Sequence, residues 1–142
     1  MANNTYSPED VVVSVNGFNL SGYMSGTFIT ASREVDTFTK MVGNDGEVSR
    51  TKSANRSGQI EITLMQTSQS NDFLSALHLV DETTGSGRFV CMVKDLMGKT
   101  LINGAECWLL RPADIEYGDE VTGRVWTVVI GQLNSFAGGS ND

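Results

Sequence analysis

The sequence has few of the residues that most often carry chemistry or anchor a chain in a membrane. Its 142 residues include only two cysteines, one histidine and two prolines, and no aliphatic run exceeds three residues. A helix that spans a bilayer needs about 20 consecutive apolar residues. The first ten residues contain no apolar signal segment. We therefore expect the chain to stay where it is made, unless a larger particle carries it out.

The scarce reactive residues do not form a recognisable site. Cys91 and Cys107 match neither a zinc-ligand pair nor a redox C-x-x-C, so both are expected to be small core residues. His78 has no histidine or cysteine partner nearby and is expected on a helix, at the surface or half-buried. Four acidic residues surround a turn without the EF-hand pattern: Asp114, Glu116, Asp119 and Glu120. We expect no enzymatic activity, no metal and no cofactor.

Basic residues are also in short supply. Ten Lys and Arg residues against 17 Asp and Glu residues give a net charge of −7. This balance argues against a surface that grips nucleic acid or adheres to an anionic membrane. Half of the basic residues lie between Arg33 and Arg56, where five oppose four acidic residues. That region is therefore weakly basic on an otherwise acidic chain.

The pattern that dominates the sequence is the two-residue alternation of β-strands. Val11, Val13 and Val15 precede Asn16-Gly17, a preferred type I′ hairpin turn, and residues 18–23 are the predicted partner strand. The clearest alternation runs from 59 to 65. Ile60, Ile62 and Leu64 are predicted to face the core, and the opposite, solvent-exposed row comprises Gln59, Glu61 and Thr63.

A polar hairpin is predicted within residues 35–57. Its strands, 38–42 and 48–51, flank the turn cluster Gly43-Asn44-Asp45-Gly46 and contain too few apolar residues to fill a core. We expect it to project from the body as an arm. Its basic character suits docking on an acidic copy of the same body, and the predicted contact residues are Phe38, Lys40, Arg50, Lys52 and Arg56.

One helix is predicted from Ser70 to Thr83, with Ser70 or Asn71 as its N-cap and Gly85 and Gly87 ending it. The three- and four-residue spacing of its apolar side chains predicts a stripe packed on a sheet: Phe73, Leu74, Leu77 and Val80.

Strands resume in the C-terminal half of the chain. They are predicted at 89–94, at 100–102 with a break at Asn103-Gly104, and at 106–110, followed by a final pair at 115–117 and 124–133. Residues 137–142 are predicted to form a flexible tail. The chain is thus one domain over 1–142, mainly β (α+β): an antiparallel barrel or sandwich with one packed α-helix and a protruding β-hairpin arm.

Several stretches in this order resemble the tail tube proteins of contractile-tailed bacteriophages. They are Gly26–Thr30, the hairpin from Phe38 to Val48, Ser57–Leu64 and Gln66–Asp72, and the resemblance extends from about Val11 to Phe136. The resemblance implies a structural virion protein that forms six-membered rings, with four strands from each subunit in a shared inner barrel. The rings would stack into a tube that conducts the genome, with the arm reaching the neighbouring ring.

The same resemblance implies the partners. They are further copies of the chain, the tail sheath, the baseplate and tape-measure proteins, and double-stranded DNA in passage, without stable membrane binding. Assembly would take place in the bacterial cytoplasm. Gln59, Glu61 and Thr63 would then face the lumen, and His78 and Asp81 on the helix are candidate sheath contacts.

Two alternatives stay open on sequence alone. One is a monomeric β-sandwich module that binds carbohydrate by stacking sugars on aromatic rings. The aromatic residues that could do so are scattered along the chain: Tyr6, Tyr23, Trp108, Tyr117 and Trp126. The other is the tube of a secretion or bacteriocin injection system, which has the same architecture.

Overall fold

A computed structural model describes residues 5–139 of the chain. They form a 3-10 turn at Pro8–Asp10, one helix, α1 (Ser70–Thr84), and ten strands: β1 (Val11–Val15), β2 (Phe18–Asn19), β3 (Ile29–Arg33), β4 (Phe38–Val42), β5 (Val48–Lys52), β6 (Gly58–Met65), β7 (Phe89–Asp95), β8 (Leu101–Leu109), β9 (Gly123–Ile130) and β10 (Asn134–Phe136). The described helix is not long and apolar enough to cross a membrane. The predicted mainly β fold with one helix is confirmed.

Eight strands form one antiparallel sheet that folds over itself like a sandwich. Neighbours follow the order β2-β1-β7-β8-β9-β6-β3, and β10 pairs with β8 beside this path. The path has two ends, so a single chain does not close the sheet into a barrel, and of the two predicted architectures the structure has the sandwich. The arm strands β4 and β5 pair only with each other.

The inner face of the folded sheet holds the core. Alternate residues of β6 and β9 point into it, and Ile60, Ile62, Leu64, Val128 and Ile130 are completely buried. Val13 and Val15 of β1 join them from the facing part of the sheet. The two-residue alternation thus predicts the buried row of these strands correctly, since successive side chains of a strand point to opposite faces.

The chain between β2 and β3 links the two ends of the sheet. The Leu20 amide donates to the Val13 carbonyl of β1 (2.9 Å). Four residues later, the Met24 amide donates to the Thr63 carbonyl of β6 (3.1 Å). The predicted type I′ turn before this segment is present, with positive φ at both Asn16 (51°) and Gly17 (83°).

The N-cap of helix α1 lies before both residues that the sequence predicted for it. The N-cap is Gln69, and Ser70 and Asn71 lie inside the first turn, where both are buried. Their side chains satisfy other groups: Ser70 Oγ accepts a hydrogen bond from the Ser21 amide, and Asn71 bonds across the core. Gly85 ends the helix in the left-handed conformation (φ 72°), as the sequence predicts.

The apolar stripe of α1 is shorter than predicted. Leu74 is completely buried, and Phe73 and Leu77 pack against the core. Phe73 also stacks on Phe18 of β2, with ring centroids 4.5 Å apart. Val80 is 51% exposed, so its predicted packing role is wrong. Leu79 is exposed beside it, whereas His78 and Asp81 on the packed side of the helix are partly buried.

Two strand predictions in the C-terminal half are corrected. Residues 115–117 form no strand, and the turn before β9 is held instead by side-chain contacts such as that of Thr122 Oγ1 with the Glu116 carbonyl (3.0 Å). Asn103-Gly104 does not end β8, which runs from Leu101 to Leu109, although its pairing with β7 shifts register between Gly104 and Cys107. A Cβ at Gly104 would collide with Ile130 Cγ2, so this glycine serves close strand packing rather than a turn.

Residues 137–139 are attached to the body. Thr100 Oγ1 donates a hydrogen bond to the Gly138 carbonyl (3.0 Å), and the Lys99 amide donates to the Gly139 carbonyl (3.1 Å). Gly138 and Gly139, which were predicted to lie in a flexible tail, are therefore hydrogen-bonded to the body. Residues 140–142, the rest of the predicted tail, lie outside the described residues.

Candidate assembly surfaces

One edge of strand β3 has no partner strand among residues 5–139. The Thr63 amide donates to the Phe28 carbonyl, and the Glu34 amide donates to the Ser57 carbonyl. The backbone amides and carbonyls of the even-numbered residues in this segment therefore point toward β6. Successive residues of an antiparallel strand direct their backbone groups to opposite sides. The amides and carbonyls of Ile29, Ala31 and Arg33 therefore point away from the sheet.

An apolar cleft runs beside this edge, between β3 and the facing part of the sheet. A cavity of about 500 Å³ separates Ile29 and Ala31 from Val93 and Ile102. A smaller recess of about 150 Å³ continues past Ala31 to Phe136, which is 63% exposed. The sandwich is thus open along the side where its backbone is unpaired, and sequence periodicity, which is local, does not reveal this edge.

The arm is a two-stranded ribbon whose faces differ. Cross-strand partners share a face, so Phe38, Lys40 and Val42 of β4 lie on the same side as Lys52, Arg50 and Val48 of β5. We call these six residues the basic face. The guanidinium of Arg50 lies 4.4 Å from the centroid of the Phe38 ring. The opposite face is neutral and carries Thr39, Met41, Ser49 and Thr51.

The arm is bonded to the body at its base. The Leu133 amide donates to the Arg56 carbonyl (2.8 Å), Arg56 Nη2 donates to Asn134 Oδ1 (2.7 Å), and Arg33 Nη2 donates to the Leu133 carbonyl (3.0 Å). Arg56 was predicted as an arm contact, but the structure places it here, on its own chain. It holds the arm in position, whereas Phe38, Lys40, Arg50 and Lys52 remain exposed on the ribbon.

The polar row of β6 lies on the outer face of the sheet. Glu61 is exposed, and Gln59 and Thr63 are partly so. Glu61 stands between Thr30 of β3 and Thr127 of β9, its direct cross-strand neighbours. It also lines a polar recess of about 290 Å³ with Arg111, Asp114 and Glu116, among others.

On α1, His78 is half-buried with Nδ1 3.7 Å from Glu82 Oε2. Asp81 Oδ1 accepts a hydrogen bond from the Gly87 amide (3.1 Å).

The cysteines are buried and free, as predicted. Burial raises the pKa of Cys91 to about 12, and the neighbouring Cys107 adds to the shift. Burial also raises the pKa of Cys107. Both thiols therefore stay protonated near neutral pH and are poor nucleophiles. Within residues 5–139 no cluster of His, Cys, Asp and Glu has a geometry that suits a metal ion.

The fold is shared with components of contractile injection systems. One solved relative is the tube-terminating cap of the anti-feeding prophage (TM-score 0.57, 10% identity, 96% of this chain and 93% of that chain). Another is from the PVC extracellular contractile injection system, solved as its sheath/tube terminator in the extended state (TM-score 0.58, 10% identity, 96% and 100% coverage). At this identity the likeness concerns the fold alone.

Sequence comparison identifies the family. The family of bacteriophage PhiTE tail tube proteins matches residues 3–138, and this chain belongs to that family. Structural protein ORF10 of Pseudomonas phage KPP10 is 30% identical, over 87% of this chain and 76% of that protein. The resemblance to phage tail tube proteins is thereby confirmed, and the chain is a structural component of a phage tail tube.

Proposed function

We propose that this chain assembles through the free edge of β3 into six-membered rings, whose sheets join to surround a lumen. The unpaired backbone of Ile29, Ala31 and Arg33 carries this proposal. Such an edge normally pairs with another strand or is protected against doing so. Here no proline or lysine protects it, and an open apolar cleft lies alongside.

In this proposal the rings stack into a tube that conducts the phage genome. The tail sheath would enclose the tube, with baseplate and tape-measure proteins as further partners and assembly in the host cytoplasm. The helix surface around His78 and Asp81 is the proposed sheath contact.

The row of Gln59, Glu61 and Thr63 is proposed to face the lumen, together with the acidic recess beside Glu61. DNA binding depends on cations that neutralise phosphates, so an acidic wall lets the duplex pass without holding it.

Two alternatives make different predictions. A carbohydrate-binding monomer needs exposed aromatic rings on one platform, but Trp126 is buried and Tyr6 and Tyr117 lie on separate segments. The tube of a secretion or bacteriocin injection system would have the same fold as the chain, so the fold relatives do not separate it from a phage tail. Finding nuclease-protected DNA in particles built from this chain would support the phage tail over that system.

Electron microscopy of the purified chain tests the proposal, with Ala31→Pro and Ala31→Ser as a matched pair. Proline removes the outward amide of residue 31, and it is tolerated on an edge strand where that amide faces solvent. We expect Ala31→Pro to stay folded by circular dichroism but to form no rings, whereas Ala31→Ser forms rings like the unaltered chain. If the unaltered chain stays monomeric at high concentration in every buffer, or if Ala31→Pro still forms rings, the proposal is wrong.

A further inference from the structure

The first half of strand β9 has a free backbone edge. β8 pairs only with the last three residues, Val128–Ile130, and the final bond between the two strands joins the Leu110 amide to the Thr127 carbonyl (3.0 Å). Backbone groups alternate in direction along a strand, so those of Gly123 and Val125 point to the same side as those of Thr127. Among residues 5–139 no backbone hydrogen bond reaches these outward groups. This half of β9 is therefore paired with β6 alone.

Residues 111–117, here called the strap, run beside this edge without pairing with it. They follow Leu110 directly, and four of them line a polar recess of about 290 Å³ together with outward side chains of β9. If the register of β8 and β9 continued, Pro112 would stand opposite Val125. Proline has no amide to donate, so the ladder loses a bond at this position. The strap therefore covers the β9 edge but does not seal it.

Few contacts hold the strap in place. Thr122 Oγ1 lies 3.0 Å from the Glu116 carbonyl oxygen, and Arg124 Nη2 donates to the Tyr117 hydroxyl (3.4 Å). Of the seven strap residues, Ala113 packs against the core and the other six are exposed. A segment with so little buried apolar area and so few backbone hydrogen bonds opens at low cost in free energy.

The β9 edge and the β3 edge lie on opposite sides of β6. A second copy could therefore continue the same sheet by placing its β3 against this β9. Such a contact uses a different edge on each copy, so protecting one of the two edges is enough to prevent it. Proteins protect sheet edges with covering loops, prolines and charged side chains. The strap supplies all three through Pro112, Asp114 and Glu116, whereas the β3 edge is bare.

We propose that the strap shields the β9 edge in the free chain and moves aside when β3 of a neighbouring copy pairs there. The inference rests on the ring formation proposed above and adds a control on when rings form. Because the strap occupies the place of the incoming strand, each chain stays single until its strap is displaced. The bare β3 edge then has no accessible counterpart before assembly begins.

Thr122→Val tests the strap by removing the hydroxyl that contacts the Glu116 carbonyl. Thr84→Val is the matched control, because it removes a hydroxyl that bonds the Val80 carbonyl at the end of α1 (2.7 Å). Light scattering over a series of protein concentrations, checked by electron microscopy, measures the onset of ring formation. We expect Thr122→Val to form rings at about three- to tenfold lower concentration and Thr84→Val to behave like the unaltered chain. An unchanged onset for Thr122→Val would refute the inference.

Fastening the strap to β9 should have the opposite effect. Asp114→Cys with Val125→Cys places a reactive thiol on each side of the recess that both residues line. Cys91 and Cys107 are buried and should stay unmodified. We expect the chain crosslinked by a bismaleimide to stay single, whereas the same variant capped at both thiols with N-ethylmaleimide forms rings. Rings formed by the crosslinked chain would overturn the inference.

Hydrogen exchange shows whether the β9 edge is the one that pairs. The amides of Gly123 and Val125 should exchange at least about tenfold more slowly in rings than in the free chain. Equal exchange in the two states would refute the strap, and this measurement and the Thr122→Val comparison decide the question if the capped variant forms no rings. Failure of the unaltered chain to form rings would instead refute the ring proposal itself.

Discussion

The indole Nε1 of Trp126 donates a 2.9 Å hydrogen bond to the side-chain Oδ1 of Asn71, and both residues are buried. Asn71 Nδ2 in turn donates to the carbonyl oxygens of Met65 (2.9 Å) and Ser68 (3.1 Å). One side chain thereby joins the first turn of α1 to β9 and to the end of β6. The helix is held on the sheet by this polar node as well as by Leu74.

Asn71→Ala should lower the free energy of unfolding by about 2–3 kcal/mol, because the buried Trp126 N–H loses its partner and the carbonyls of Met65 and Ser68 each lose one of two donors. Urea denaturation of the unassembled chain measures this change. Gln132→Ala, at an exposed position without a side-chain hydrogen bond in the described structure, should change stability by less than about 0.5 kcal/mol. Equal stabilities of the two variants would show that the node contributes nothing.

Gly104→Ala should destabilise the chain by about 1–3 kcal/mol, because the added Cβ would collide with Ile130 Cγ2 and lie 3.1 Å from Cys107 Sγ. Gly118→Ala is the matched control, since a Cβ added there would meet no atom within 4 Å beyond its chain neighbours. Thermal unfolding compares the two. A midpoint for Gly104→Ala as high as that of Gly118→Ala would mean that strand β8 shifts at no cost.

The chain should lose stability as the pH rises from about 9 toward 12. Cys91 is protonated in the folded chain up to a pKa of about 12 but ionises near 9.0 when unfolded, so the unfolded state loses a proton first. Its contribution is complete below pH 9 and falls by about 1.4 kcal/mol per pH unit above it. Denaturation at a series of pH values should show a shallower alkaline slope for Cys91→Val. Identical slopes would exclude Cys91 as the cause.

Phage that carry Glu61→Lys should assemble tubes of normal length but release DNA several-fold more slowly, because a ring of lysines in the lumen would bind phosphates. The defect should weaken as salt concentration rises. Fluorescence of a DNA dye after triggered ejection measures the rate. Glu82→Lys, the same charge change on α1, provides the comparison. Normal ejection by Glu61→Lys phage would place Glu61 outside the lumen.

Local patterns in the sequence predicted most of the elements and their faces. The alternation at Ile60, Ile62 and Leu64, the Asn16-Gly17 turn and the Gly85 stop were confirmed. Each of these features depends on the backbone geometry of only a few residues. The types of those residues are enough to specify that geometry. Residues 115–117 failed this test because the pairing of a strand also depends on contacts outside its own segment, and here side-chain contacts such as that of Thr122 with the Glu116 carbonyl hold the turn.

The functions of individual polar residues were harder to predict. Arg56 and Asn71 look like surface residues in the sequence, yet Arg56 holds the arm to Asn134 and Asn71 satisfies Trp126 across the core. Both partners are more than 50 positions away along the chain. No local pattern encodes such a distance.

By itself the sequence determined a β-rich chain with one helix, a polar basic hairpin and an acidic remainder, since these follow from residue type and spacing. Only the tertiary structure decided that the sheet stays open at β3 and that Glu61 stands between Thr30 of β3 and Thr127 of β9. Both depend on which distant strands pair, and pairing is chosen by the packing of the whole core rather than by any single segment.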